Sequence, residues 1–303
     1  MQMIELDNIK PDTVIVVAGP TASGKSGLAL DIARRYDGEI VNADSMQVYQ
    51  GTPIISAVPS AEERTEISHH LYEIYHPSVN GTVVDWLERA VAAIQDIWSR
   101  AKLPIVVGGT GMYIDNLING TTPIPEPKQE IRTKVQHLLT DMGQEGLYNL
   151  LQKEDIAGAK MLNPNDATRV RRAYEIFLQT GISIAEWYKK PMLKKLSEAD
   201  FQVIKIIPDA NELDNRCYRR FDMMMKAGAL DEVCFLLSLE LDKNMPAMKM
   251  LGVPELAEYL SGCLNLNEAI DLAKLHTRQY AKRQRTWFRN KLPAHIILDK
   301  CFC

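Results

Sequence analysis

Long apolar runs, paired cysteines and a strong excess of one charge are all missing from this chain. No stretch of eighteen apolar residues occurs in its 303 residues, so no membrane-spanning helix is expected. The start, "MQMIELDNIK", has no basic segment leading into an apolar core and does not read as a signal peptide. The five cysteines, at 217, 234, 263, 301 and 303, are odd in number and form no C-x-x-C. That argues against a disulfide framework or a zinc site and fits a reducing, cytoplasmic setting. The formal net charge of -4 gives no global sign of a nucleic-acid partner, so any such contact has to come from local clusters. Internal repeats and low-complexity tracts are absent too. What remains, 46% apolar and 24% charged, is an ordinary globular composition, long enough for one large domain or two small ones.

The periodicity is of two kinds. "TVIVVAG" (13–19), "GEIVNADS" (38–45) and "LPIVVGGTGMYI" (103–114) are short apolar runs that read as buried strands. Between them, 26–36 and 83–102 carry apolar residues at helical spacing. Alternation of strand and helix predicts an α/β fold with a parallel sheet and right-handed crossovers. A proline-rich stretch, "NGTTPIPEPK" (119–128), breaks that pattern. The periodicity from 129 to 196 is almost wholly helical. A β-like run at 199–209 is followed by helical patterns, with "HIILD" (295–299) as a candidate last strand. The prediction is a P-loop parallel-sheet core over 1–122 and 198–303, interrupted by a mainly helical insertion over 123–197.

"GPTASGKS" (19–26) fits G-x-x-x-x-G-K-[ST] at every fixed position, between a predicted strand and a predicted helix. Gly19 and Gly24 let the backbone wrap, so that Gly19, Pro20, Thr21, Ala22, Ser23, Gly24, Lys25 and Ser26 form a phosphate-binding loop. The helix that follows adds its positive end. Lys25 offers a point charge to the terminal phosphates, and Ser26 a ligand for magnesium. A hydrolase with this loop carries an aspartate after another apolar strand to hold the metal. Here "PIVVGGTG" ends in glycine, and the acid, Asp44, closes the second strand instead. A carboxylate at that strand end can serve as base toward an acceptor, or can merely cap a turn. The loop therefore reads as a phosphate binder and the strand ends lean toward a transferase. His69, His70 and His76 in "ISHHLYEIYHP" (67–77) read as a polar turn, because no third ligand type stands at convincing spacing.

With "VNADSMQVY", "VGGTGMY", "NPNDATRVRRAYEIF" and "YAKRQRTWFR" added, the chain resembles the tRNA dimethylallyltransferase (tRNA isopentenyltransferase) family over about 13–290. The motifs stand in that family's order. The resemblance implies transfer of a dimethylallyl group from dimethylallyl diphosphate to the exocyclic amine of the adenosine 3′-adjacent to the tRNA anticodon. It implies Asp44 as base, Arg220 closing on the diphosphate, Thr110 where adenine and donor meet, and Mg2+ as cofactor. Arg219 beside Arg220 is the competing choice. It further implies tRNA contacts at Asp44, Ser45, Met46 and Gln47, at Arg132, at Thr168, Arg169, Val170, Arg171 and Arg172, and at Lys249, Arg278, Lys282 and Arg283. Base flipping and single-stranded loop recognition follow from placing that amine in a closed site.

Departures from the family pattern are Ile55, Ser56 and Val58, where glycine, threonine and lysine are common, and Val253 and Pro254 in place of tyrosine and a basic residue. The helical tail 277–289 mixes Arg and Lys with Tyr280, Trp287 and Phe288, and the last two are expected to pack inward. No zinc-finger pattern follows Cys301 and Cys303, so the resemblance is to the bacterial type. It implies a cytoplasmic monomer with no obligate protein partner and no membrane contact. Competing readings are an adenylate isopentenyltransferase acting on free AMP, a small-molecule kinase binding ATP, and a nucleotide switch without chemistry.

Overall fold

A computed structural model describes residues 5, 6 and 8–302, so the expectations for the first four residues and for Cys303 lie outside the described residues. The first apolar run forms β1 (Thr13–Ala18), buried at every position. It is followed by α1 (Lys25–Arg35), β2 (Gly38–Asn42), α2 (Ala61–Glu66), β3 (His69–His70), α3 (Val83–Ser99), β4 (Leu103–Gly108) and α4 (Gly111–Asn119). After the helical segment come β5 (Asp200–Ile206), α9 (Ala210–Ala227), α10 (Ala229–Ser238), α11 (Val253–Leu260), α12 (Leu266–Lys291) and β6 (Ile296–Leu298). The six strands pair in the order β3-β2-β4-β1-β5-β6, all parallel. Strands covered on both faces need no polar alternation, which is why β1 and β4 read as unbroken Val/Ile runs. β1 is central, with Ala18 opposite Gly108 of β4 and Lys205 of β5. The loops leaving β1, β2 and β4 therefore emerge side by side, where ligands bind in open α/β sheets.

Two apolar layers hold the sheet. One face packs Leu28, Ile32, Ile40 and Ile105, and the other packs Val16, Trp86, Tyr113, Phe221 and Phe288. Trp86 stacks on Tyr113 at 4.2 Å and donates its indole N–H to the Asn42 carbonyl at 2.9 Å. Lys205, buried in β5, donates to the Phe288 and Leu292 carbonyls at 3.1 and 2.8 Å. A buried ammonium is thus satisfied by the negative end of α12. The histidine-rich turn contributes the short β3, a strand that its polar composition did not reveal. His70 Nε2 lies 2.8 Å from Glu39 Oε2, and Glu39 also receives Arg100. Its carboxyl is held down to about 2, chiefly by the Arg100 hydrogen bond. Among the described residues no group of three or more His, Cys, Asp or Glu could hold a metal ion, and no helix is long and apolar enough to cross a membrane.

The chain divides into two compact units, residues 1–118 with 196–303, and residues 119–195. The second is helical: α5 (Gln129–Glu154), α6 (Ile156–Lys160), α7 (Ala167–Thr180) and α8 (Ile184–Trp187). α5 is broken at Gly143, whose φ of 69° departs from helix geometry, between the two periodic segments seen in the sequence. Val135, Leu147, Leu151, Val170, Ala173, Ile176 and Trp187 form its core.

Candidate active site

The phosphate loop runs from the end of β1 into α1. Gly24, the N-cap, has φ of 88°, and a side chain there would collide with the Phe302 carbonyl. Ala22, Gly24, Lys25 and Ser26 line one cavity together with Arg216, Arg219, Arg220 and Met223. It is a cationic bowl at a helix N-terminus, the arrangement that takes phosphate. Lys25 Nζ lies 3.3 Å from the Pro20 carbonyl. Burial pulls its pKa down to about 8, against the opposing pull of Asp44 and with help from Arg220. Gly19, Pro20 and Ser23 are buried and shape the loop without lining the cavity. Ser23 Oγ, fully enclosed, makes no hydrogen bond.

Arg220 resolves the choice left by the sequence. It donates to Thr21 Oγ1 and lines both the cationic cavity and a second, more apolar one, whereas Arg219 is exposed and lines only the first. Burial lowers the Arg220 pKa. The second cavity, about 220 Å³, is walled by Thr21, Asp44, Met46, Ile55, Phe221 and Met224 among others. At about 30 Å³ per water-sized group, it has room for a five-carbon chain. Arg216, which the sequence reading passed over, lines the cationic cavity and ties the loop to the C-terminal segment, donating to Ala22 O at 2.9 Å and Phe302 O at 3.2 Å.

Asp44 is set by its own turn. Its N–H donates to Asn42 Oδ1 at 2.8 Å, and its Oδ1 accepts from Met46 N at 3.0 Å, which leaves Oδ2 as the oxygen able to take a proton. Thr110 pins this turn, its Oγ1 accepting from Ser45 N at 2.9 Å and donating to Ser45 Oγ at 3.2 Å. Thr110 is not among the residues walling the Asp44 cavity; here it acts on the Asp44 turn rather than on the open space. The glycine ending β4 has a steric cause. A side chain at Gly108 would strike the Ala43 carbonyl, so no acid can stand at that strand end.

Gln47 is used inward. Its amide donates to the Ser56 and Ala57 carbonyls at 3.1 and 2.6 Å, while Glu232 accepts from Ile54 N and Ile55 N at 2.7 and 2.8 Å. The loop bearing Ile55 and Ser56 against the Asp44 cavity is thus clamped from two sides. Val58, in the lysine position of the pattern, borders an apolar hollow with Ile54, Pro59, Met223 and Met224 that also touches Arg220.

Residues 47–291 match the IPP transferase family. The chain is 40% identical over 290 residues to the tRNA dimethylallyltransferase of Rickettsia conorii, covering 96% of this chain and 80% of that one. It is 41% identical over 286 residues to that of Rickettsia felis, covering 94% and 93%. Among solved structures, the tRNA isopentenylpyrophosphate transferase of Bacillus halodurans superposes with a TM-score of 0.68 at 33% identity, over 95% of this chain and 90% of that one. A eukaryotic dimethylallyltransferase, described as acting on tRNA, gives 0.79 at 32% identity over 91% and 70%.

This chain belongs to the IPP transferase family.

Within the family's motifs, the structure sorts the expected polynucleotide contacts. Lys249 and Arg283 line the Asp44 cavity, and Arg283 stands over the Tyr280 ring at 5.7 Å. Lys282 is exposed, and Arg278 is held near Asp214 and the Tyr218 hydroxyl. In the helical unit, Thr168 and Arg169 are exposed. Val170 is a correction: it is fully buried in that unit's core, so its side chain is closed to any polynucleotide. Arg132 and Arg172 both pair with Glu126, and Arg171 reaches Glu175 at 3.6 Å. Phe288 is fully buried and Trp287 packs against the same core, as the tail pattern implied. Val253 is likewise core and Pro254 lies in the first turn of α11, where a missing N–H costs nothing.

One residue at the centre escaped the sequence reading. Gln284 lies in the same basic helix as Arg283, and its neighbours disguised it as part of a charged surface. It is buried, with Oε1 accepting from Thr21 N at 2.8 Å and Nε2 donating to Gly109 O at 2.7 Å.

Proposed function

We propose that this chain transfers a dimethylallyl group from dimethylallyl diphosphate to the exocyclic amine of the adenosine 3′-adjacent to the anticodon in tRNA, releasing diphosphate. One observation carries the reading: Arg220 forms the common wall of a cationic cavity and a second, mixed one in which Met46, Ile55, Phe221 and Met224 stand with a carboxylate, Asp44, and with Lys249 and Arg283. A prenyl diphosphate has the same two halves. Its diphosphate suits Lys25, the α1 N-terminus and Arg220, and its five-carbon chain suits Met46, Ile55, Phe221 and Met224.

The chemistry follows from that division. An adenine amine is a weak nucleophile because its lone pair is delocalised. An allylic carbon becomes a good electrophile once its leaving diphosphate is stabilised. Lys25 and Arg220 meet the charge that grows on the diphosphate, in a site where burial strengthens each interaction. Asp44 Oδ2 receives the amine proton as the new C–N bond forms. Magnesium belongs to the proposal as well. The cationic cavity offers one hydroxyl, Ser26, and no carboxylate, a donor set suited to an ion whose remaining ligands are diphosphate oxygens and water. Ser26 would hold it, and it would supply further charge neutralisation on the leaving group.

The relatives are named for tRNA rather than for a free nucleotide, and the helical unit with its exposed Arg169 gives a polynucleotide something to touch. A kinase reading would require this cavity to take ATP and place a hydroxyl at Asp44. Incubation of labelled dimethylallyl diphosphate with unmodified tRNA and, in parallel, with AMP, followed by digestion of the tRNA to nucleosides, tests the proposal. Label on the N6-substituted adenosine beside the anticodon is expected. Label transferred to AMP but not to tRNA, or none at all, would contradict it.

A further inference from the structure

Gln284 ties together three parts of the site that are remote in sequence. Its Oε1 takes the Thr21 amide of the phosphate loop and its Nε2 reaches the Gly109 carbonyl, just before Thr110. Gly109 has no side chain to obstruct this. The point where its Cβ would stand falls against Gln284 Nε2 and 3.5 Å from Asp44 Oδ2. Thr21 is held from the other side by Arg220, which donates to its hydroxyl. Thr21 lines the Asp44 cavity, whereas Ala22, Gly24, Lys25 and Ser26 line the cationic one. Thr21 is therefore the partition between the two compartments, and its backbone donor is already spent on Gln284 rather than available to a phosphate.

We infer that Gln284 is a positioning residue: it fastens the phosphate loop to the Gly109–Thr110 segment, fixing the leaving-group cradle relative to the Asp44 turn. This rests on the prenyl-transfer reading. A primary amide accepts from Thr21 N and donates to Gly109 O at once and does so at any pH, whereas a carboxyl of the same length does both only when protonated. Because Thr21 N is occupied, the loop presents its phosphate donors only from Ala22 onward. Misplacing the two halves of a reaction by about 1 Å costs about 100-fold in rate.

The test compares wild type, Q284M and Q284E in single-turnover transfer with tRNA and dimethylallyl diphosphate, along with tRNA binding and melting curves. Q284M keeps the shape and loses both hydrogen bonds. It is expected to melt cooperatively, bind tRNA as wild type does and lose about 100-fold in kcat. Q284E keeps the acceptor for Thr21 N but donates to Gly109 O only when protonated. Burial and the neighbouring Asp44 raise the pKa of the introduced carboxyl, and Arg220, held on the Thr21 hydroxyl, opposes them in part. The ratio of its kcat to that of wild type, both at saturating donor, is therefore expected to rise by about tenfold as pH falls from about 8 to about 6, and taking the ratio removes the pH response that the two proteins share through Lys25. A role limited to packing would not produce that pH response.

Wild-type kcat in both variants, a Q284E rate that does not recover in acid, or a Q284M protein without cooperative melting would overturn the inference. An inactive wild type would instead refute the prenyl-transfer reading itself.

Discussion

The cationic groups of the sheet unit and those of the helical unit are kept in different ways. In the sheet unit, Lys25 and Arg220 lean on neutral oxygens, the Pro20 carbonyl and the Thr21 hydroxyl, and burial depresses both pKa values. In the helical unit, Arg132 and Arg172 share Glu126, Arg171 faces Glu175, and Arg169 lies 3.4 Å from Asp166. The first set is held ready for an anion at a cost in stability. The second is neutralised by its own carboxylates, and on the proposed function a tRNA phosphate would replace them, an exchange worth little per residue and easily screened. On the proposed function, the difference separates a catalytic cradle from a docking surface.

The largest effect that sharpens this contrast is expected at Asp44, the one carboxylate among the residues lining its cavity. Asp44→Asn keeps the turn through its side-chain oxygen, so tRNA and donor affinities should stay within a few-fold while single-turnover transfer falls by about 10³. Equal loss of rate and both affinities would mark Asp44 as a turn residue only. Next, Arg220→Ala removes a charge-assisted contact to the diphosphate and the brace on Thr21. Donor affinity measured by calorimetry should weaken by about 100-fold, with tRNA affinity little changed. Unaltered donor binding would remove Arg220 from the cradle.

A smaller effect concerns pH. Below about 8 Lys25 is charged. A bound diphosphate favours that charged form, so donor affinity is fully present below this pH and declines by up to about tenfold per unit above it. Lys25→Met should abolish the slope and raise the melting temperature of the ligand-free protein, because the buried charge is gone. The smallest effect belongs to the helical unit. Arg169→Gln or Arg172→Gln should lower tRNA affinity by about 1 kcal/mol or less and reduce the salt slope by about 0.7–0.9. A hundredfold loss from either would erase the distinction between cradle and surface.

Much of this was legible in the sequence because sterics and burial leave short-range marks. The Val/Ile runs of β1 and β4, the loop glycines, and the terminal glycine of β4 all follow from local constraints. Gly108 is the clearest case: the sequence signals that no acid stands there, and the Ala43 carbonyl explains why. Arg220 was separable from Arg219 only in three dimensions, since adjacent helical positions differ by about 100° in direction. Gln284, Glu232 and the inward turn of Gln47 could not be read locally. Their partners lie 263, 178 and 9 residues away, and polar side chains that clamp backbone look like surface residues in a linear string. Val170 failed for a related reason, because a motif read as one contact strip includes the helix face that packs inward. β3 was hidden because a two-residue edge strand of histidines carries no hydrophobic pattern.

The most direct measurement of the central claim is a crystal structure with an unreactive dimethylallyl diphosphate analogue and an anticodon stem-loop. The account places the diphosphate on the backbone of Ala22 to Ser26 and between Lys25 and Arg220. It places the allyl carbons against Met46 and Phe221, and the flipped adenine amine within about 3 Å of Asp44 Oδ2. A diphosphate bound elsewhere, or an adenine on the far side of Thr21 from Asp44, would contradict it.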